Sequence, residues 1–226
     1  MAFTDEQLQI LIDRCEQFRN AEAPEGYRGS LALCIVDSVQ STGVRYASVV
    51  KVVNAYRDYR RIQGGDPATD GVPELLQTFD ELGGPEAWAS KIGNQNKTST
   101  RPNAPLKAVA IRDAAAALVS VEVTATQALR ETAKDPDKLR FVEAAWRAVV
   151  AQRSGITWHY MQMLAGIPGI KPDRMIIRFV ADALGLPRTR VSPSFSSEIL
   201  TEAASRMKVS PTDLDHGIWQ WQRRGR

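Results

Sequence analysis

Apolar residues recur with a period near 3.6 along almost the whole chain. In "DEQLQILIDRCEQF" they fall at Leu8, Leu11, Ile12, Cys15 and Phe18, with Thr4 placed to cap the helix start. "SLALCIVDSVQ" is apolar nearly all round, which predicts a helix at the centre of a core. "VRYASVVKVVNAYRDYRRI" predicts a longer helix, and the Gly/Pro/Asp run at 64–73 predicts a loop. "VPELLQTFDELGG" predicts a helix that stops at Gly83-Gly84, and "PEAWASKIG" a short one. "NQNKTSTRPNAP" is polar and aperiodic, long enough for a loop with work to do. Beyond it, "LKAVAIRDAAAALVS", "VTATQALRETAKD", "PDKLRFVEAAWRAVVAQ", "TWHYMQMLAG", "DRMIIRFVADALG", "FSSEILTEAASRM" and "PTDLDHGIWQWQRR" all read as helices. No segment alternates with period two and none repeats, so the expected class is all-α.

Composition narrows this picture without changing it. The chain has 226 residues, 43% hydrophobic and 24% charged, enough for a substantial core in one domain or two small lobes. No apolar run reaches the ~18 residues of a membrane span. The N-terminal stretch is acidic and amphipathic, unlike a signal peptide. Cys15 and Cys34 sit in apolar helical patterns, as buried thiols of a reducing, cytoplasmic setting. With two histidines, His159 and His216, and no Cys/His cluster, no metal site, iron–sulfur cluster or other cofactor is expected. The net charge is +3 and the isoelectric point about 8.9. Basic residues gather in "YRDYRR", "NKTSTR", "AQRS", "IKPDR", "LPRTR" and "WQRRGR", at helix ends and loops. Phosphate contacts are made from such places, although a scattered solvated surface has the same composition.

Candidate chemistry begins at "AWRAVVAQRSGITWHYMQMLAG": helix, tight turn at Gly155, helix. A glycine there lets a partner backbone approach, and the amides opening the second helix, near Ile156 to Trp158, suit one phosphate. Any αα-hairpin needs such a glycine, so the turn alone reads first as structural. Next comes "GIPGIKPDRMIIRF", a Gly/Pro turn running into an apolar helix at Asp173. Asp173 is there either a helix cap or a carboxylate aimed at a substrate.

Hairpin, Gly/Pro loop and Asp at this spacing resemble the helix-hairpin-helix DNA glycosylases, of the endonuclease III and 3-methyladenine DNA glycosylase II type. "LALCIVDSVQSTGVRYASVVKVV" resembles that family's early helix ending in a Ser-x-Gln element, and "IGNQNKTSTRPNAPLKAVAI" its loop and Lys-Ala helix. "TDLDHGIWQWQR" looks like its closing helix, so the resemblance spans roughly residues 30 to 225. It implies a two-lobed helical fold with a cleft: a central lobe at about 30–140, and a second lobe of about 1–29 plus 141–226 carrying hairpin and Asp. It implies Asp173 as the catalytic carboxylate and Gln40, flanked by Ser41 and Thr42, filling the hole left by a flipped base. Capping of carbonyls at the helix end is the plainer role for Gln40. Arg153, Ser154, Gly155, Thr157, Lys171 and Arg174 would hold phosphates. Family members that also cleave the strand carry a hairpin Lys; none stands around Gly155, Ile156, Thr157 and Trp158, so no efficient lyase activity is expected. Thr157 replaces the hairpin's usual second glycine.

The base pocket would draw on Asp37, an acid inside an apolar helix; on Asn94 in the Asn-rich loop; and on Trp158, His159 and Tyr160, whose alternative is simple core packing. The expected function is monofunctional removal of a damaged or modified base from double-stranded DNA by a monomer. Repair and defence against phage DNA are both open as settings, with a nucleoid location if the source is bacterial. A DNA-binding protein on the same scaffold without chemistry is the alternative. A haem or ligand binder using His159 is weaker, for lack of a haem-attachment motif.

Overall fold

The computed structural model describes residues 3–224, and among them it is all-α, with twelve α-helices and no strand. The last two residues of the basic cluster "WQRRGR", and the first two of the chain, lie outside the described residues. No helix among the described residues is long and apolar enough to cross a membrane. The chain divides into two compact units: Gly26–Ile167, and the chain up to Glu25 together with that from Pro168 onward.

The central unit holds the largely apolar α2 (Leu31–Gln40), all of whose ten residues are buried. It is flanked by α3 (Tyr46–Ile62), α4 (Val72–Leu82), α6 (Lys107–Ser120) and α9 (Ile156–Leu164). The shell on every side explains why the α2 sequence lacks a polar face. Helices α5 (Pro85–Lys91), α7 (Thr126–Thr132) and α8 (Pro136–Ala148) complete the unit. Gly83 ends α4 at φ +86, a left-handed conformation that a side chain resists. The polar stretch 94–106 is an ordered excursion: Lys97 bridges Leu106, and Thr98 N–H donates to Pro105 O at 2.9 Å.

The other unit packs α1 (Asp5–Cys15), α10 (Arg174–Leu184), α11 (Pro193–Met207) and α12 (Pro211–Arg224) around Leu11, Phe179, Ile199, Leu200 and Leu214. Thr4 caps α1 through a reciprocal pair with Gln7, as the sequence predicts. The boundary differs from the expected one. Residues 141–167, with the hairpin, belong to the central unit and not with Asp173. The reason is hydrophobic: Val142 and Trp146 of α8, and Trp158 and Met161 of α9, are buried in the core built on α2.

Candidate functional site

Asp173 is the N-cap of α10, in extended backbone (φ −82, ψ 178). Its Oδ1 accepts the N–H groups of Met175 at 2.7 Å and Ile176 at 3.2 Å. That satisfies two of the orphan donors at the helix start. Oδ2 is spent differently: it faces the Lys171 ammonium at 4.0 Å, with both side chains about one-fifth exposed. The cap therefore occupies one oxygen and leaves the other beside a cation near solvent. Arg174, next along, is exposed.

A second carboxylate, absent from the sequence reading, belongs to this site. Asp215 on α12 is buried, and its Oδ1 accepts the Lys171 N–H at 2.9 Å. Burial pushes its pKa up to about 7; the Lys171 N–H and ammonium oppose the rise and the Asp173 charge adds to it. One signal was legible. Asp215 precedes Ile218 by three positions and Gln222 by seven, on the buried stripe of α12. A carboxylate on an apolar stripe calls for a reason.

The hairpin turns at Gly155, whose φ of +74 favours glycine. Arg153 and Ser154 are exposed at the turn, and Arg147 Nε holds the Arg153 carbonyl at 3.0 Å. Thr157 is not a phosphate ligand in this arrangement. It is buried, accepting from Trp146 Nε1 at 3.1 Å and donating to Gln152 Oε1. Trp158 is core as well, 1% exposed and tilted against Trp146. The position read as a departure in the hairpin thus stitches its two helices together. His159 is half-buried, and burial lowers its pKa against the pull of Glu143.

At the end of α2 the structure gathers Asp37, Gln40, Ser41, Thr42, Asn94 and Tyr160. Asp37 is fully buried and its oxygens are already engaged. Tyr27 and Tyr46 hydroxyls donate to Oδ2 at 2.7 and 3.0 Å, and Ser41 Oγ donates to Oδ1 at 2.9 Å. Tyr160 is hydrogen-bonded to Tyr46. Burial first, then the Asp37 charge, raises the pKa of Tyr46 to about 12 and that of Tyr27 further. Asp37 is therefore the acceptor of a closed network, not a side chain presented to a base. Two of its partners were not readable, because Tyr27 comes from a loop and Tyr46 from α3.

Gln40 is 1% exposed, so it is not displayed as a wedge. Its Oε1 accepts from Asn94 Nδ2 at 3.3 Å, while its Nε2 is buried without a partner. The buried Lys107 ammonium donates to the carbonyls of Gln40 at 2.7 Å and Thr42 at 2.6 Å, closing the C-terminus of α2. Burial lowers the Lys107 pKa to about 8. Ser41 is half-buried and Thr42 exposed. Among the described residues no cluster of His, Cys, Asp and Glu could hold a metal ion.

Asp173, Lys171 and Arg174 lie in one unit, and the hairpin and the α2 cluster in the other. Comparison with curated proteins finds no match, and neither does comparison with solved structures. One family model, described as a domain of unknown function, DUF8548, matches residues 9–223. Because that match covers nearly the whole chain, the protein belongs to the DUF8548 family.

Proposed function

We propose that the protein is a monofunctional DNA glycosylase on a helix-hairpin-helix scaffold, hydrolysing the N-glycosidic bond of a damaged or modified base. The observation that carries this reading is the divided use of Asp173. A cap needs one carboxylate oxygen, and Oδ1 serves it. Oδ2 stands apart beside Lys171, in a side chain only one-fifth exposed. Breaking the bond builds positive charge on the deoxyribose, and a fixed carboxylate near C1′ stabilises it. The same oxygen can take a proton from the water that adds to C1′ as the base departs. The product is an abasic site. No lysine stands at Gly155 to Trp158 to form a Schiff base, so the strand stays intact.

The exposed Arg153, Ser154 and Arg174, with the partly buried Lys171, supply phosphate contacts in this reading, which fix register without reading sequence. The base must leave the stack to be reached. The substrate is an alkylated purine, a deaminated or mismatched pyrimidine, or a bulky modified base in foreign DNA. The test uses duplexes carrying each lesion, and phage DNAs with modified cytosines. Each is incubated with wild type and with Asp173→Asn, then treated with hot alkali. Breaks that need both wild-type protein and alkali support the reading.

A second reading is a DNA-binding protein of the same kind without chemistry. The burial of Gln40 and Thr157 favours it, since neither is displayed to a duplex. It predicts salt-sensitive binding and no breaks on any substrate.

A further inference from the structure

We infer that Thr212 and Asp215 of α12 are positioning residues for Asp173, acting by clasping the backbone that delivers it. The inference rests on the glycosylase reading only for its catalytic consequence; the clasp itself is geometry. Thr212 and Asp215 lie one turn apart, on one face of α12. Thr212 Oγ1 accepts the Gly169 N–H at 3.1 Å and is 3.5 Å from the Gly169 carbonyl. Asp215 Oδ1 accepts the Lys171 N–H at 2.9 Å. Between the clasped residues Ile170 is a core anchor, 1% exposed, and after them Pro172 is buried. The Asp173 N–H then turns back onto the Lys171 carbonyl at 2.7 Å.

Each residue from Gly169 to Asp173 is thus held by a side chain, by the core or by the chain itself. Such a loop has little freedom, and its fixed end is the Asp173 carboxylate with Lys171 beside it. Residues in loops are ordinarily mobile on the scale of their connections. A catalytic group displaced by about 1 Å loses on the order of a hundredfold in rate. The clasp is also chemically selective. A carboxyl oxygen or an amide oxygen at 215 can accept the Lys171 N–H, but a methyl cannot, and the same holds for a hydroxyl against a methyl at 212. An apolar residue at 215 would fill the core but leave the Lys171 N–H without this acceptor.

The experiment compares wild type, Asp215→Ala, Asp215→Asn and Thr212→Val. At pH 6, isotope-edited NMR follows the amides of Gly169 and Lys171 and the side-chain carboxyl carbon of Asp173. The expected result is a shift of the Lys171 amide and the Asp173 carboxyl in Asp215→Ala, with both restored in Asp215→Asn. Thr212→Val moves the Gly169 amide and the Asp173 carboxyl, and decides the matter if Asp215→Ala does not fold. On any DNA that wild type cuts, Asp215→Ala and Thr212→Val lower kcat tenfold or more with KM within twofold, and Asp215→Asn recovers most of it. The inference is overturned if the Asp173 carboxyl stays put in Asp215→Ala and Thr212→Val, or if Asp215→Asn falls as far as Asp215→Ala. If wild type cuts no DNA, the glycosylase reading fails, and the NMR shifts alone uphold or overturn the clasp.

Discussion

Replacing Asp215 by Asn should stabilise the protein above neutral pH, by an amount that the buried carboxyl itself sets. The folded-state pKa is raised from 3.8 to about 7, chiefly by burial. The sign is the reverse of the usual carboxylate. Between pH 3.8 and 7 the folded protein binds a proton at Asp215 that the unfolded chain has released, so stability falls as pH rises. The favourable state is complete below pH 3.8 and is lost by the time pH passes 7. At about 1.4 kcal/mol per tenfold change in proton affinity, the full loss is about 4 kcal/mol. Asn mimics the protonated acid at every pH and still offers an oxygen to the Lys171 N–H. Urea unfolding followed by tryptophan fluorescence, at steps from pH 4 to 8.5, gives the difference between the two proteins. They should be nearly equal at pH 4 and about 4 kcal/mol apart at pH 8.5, with Asn the more stable. In an Asp173→Asn background the gap should narrow, because the Asp173 charge is part of the cause. Parallel curves across this range would refute the reasoning. So would a wild type that gains on the Asn protein with pH, which would mean that Lys171 outweighs burial.

Asp173→Asn should abolish alkali-dependent breaks, by a hundredfold or more, yet melt within about 0.5 kcal/mol of wild type, because Asn caps a helix as well as Asp does. Asp70→Asn should cost about 3–5 kcal/mol in urea unfolding: it breaks the buried pair in which Arg60 Nε meets Asp70 Oδ2 at 2.8 Å and strands the guanidinium. Lys107 has a folded pKa of about 8 against 10.5, so the folded protein binds fewer protons there than the unfolded chain from pH 8 to 10.5. Wild type should therefore gain on Lys107→Met across that window by a few kcal/mol, about 3 at most, measured as a difference of urea midpoints. Arg153→Ala and Arg174→Ala should each lower the salt slope of DNA binding by about one, with no change in lesion preference, read by fluorescence anisotropy at several salt concentrations.

Much of the architecture was legible because it is local. The 3.6 period, the Gly83-Gly84 stop and the Thr4 cap depend on neighbours within four residues, and they appear in the helices as expected. The largely apolar α2 announced its own burial in the same way. Asp173 at the head of α10 was legible for the same reason, since a cap is a contact between residues two or three apart. Gln40, Thr157 and Trp158 were harder. Each sits in a stretch where both an exposed and a buried face were available, and only the packing of α6, α8 and α9 selected the buried one.

By itself, then, the sequence determined the class, the helices, their breaks and the cap that carries Asp173, because periodicity and capping are short-range. Tertiary structure alone decided which polar side chains are spent indoors. Tyr27 from a loop and Tyr46 from α3 donate to Asp37, and Lys107 reaches the end of α2 across 67 positions of chain. It decided as well that Asp215 lies against the backbone two residues before Asp173, a partnership 44 positions apart. No local pattern encodes such pairs, because they form only when the cores bring distant helices within the 3 Å reach of a hydrogen bond.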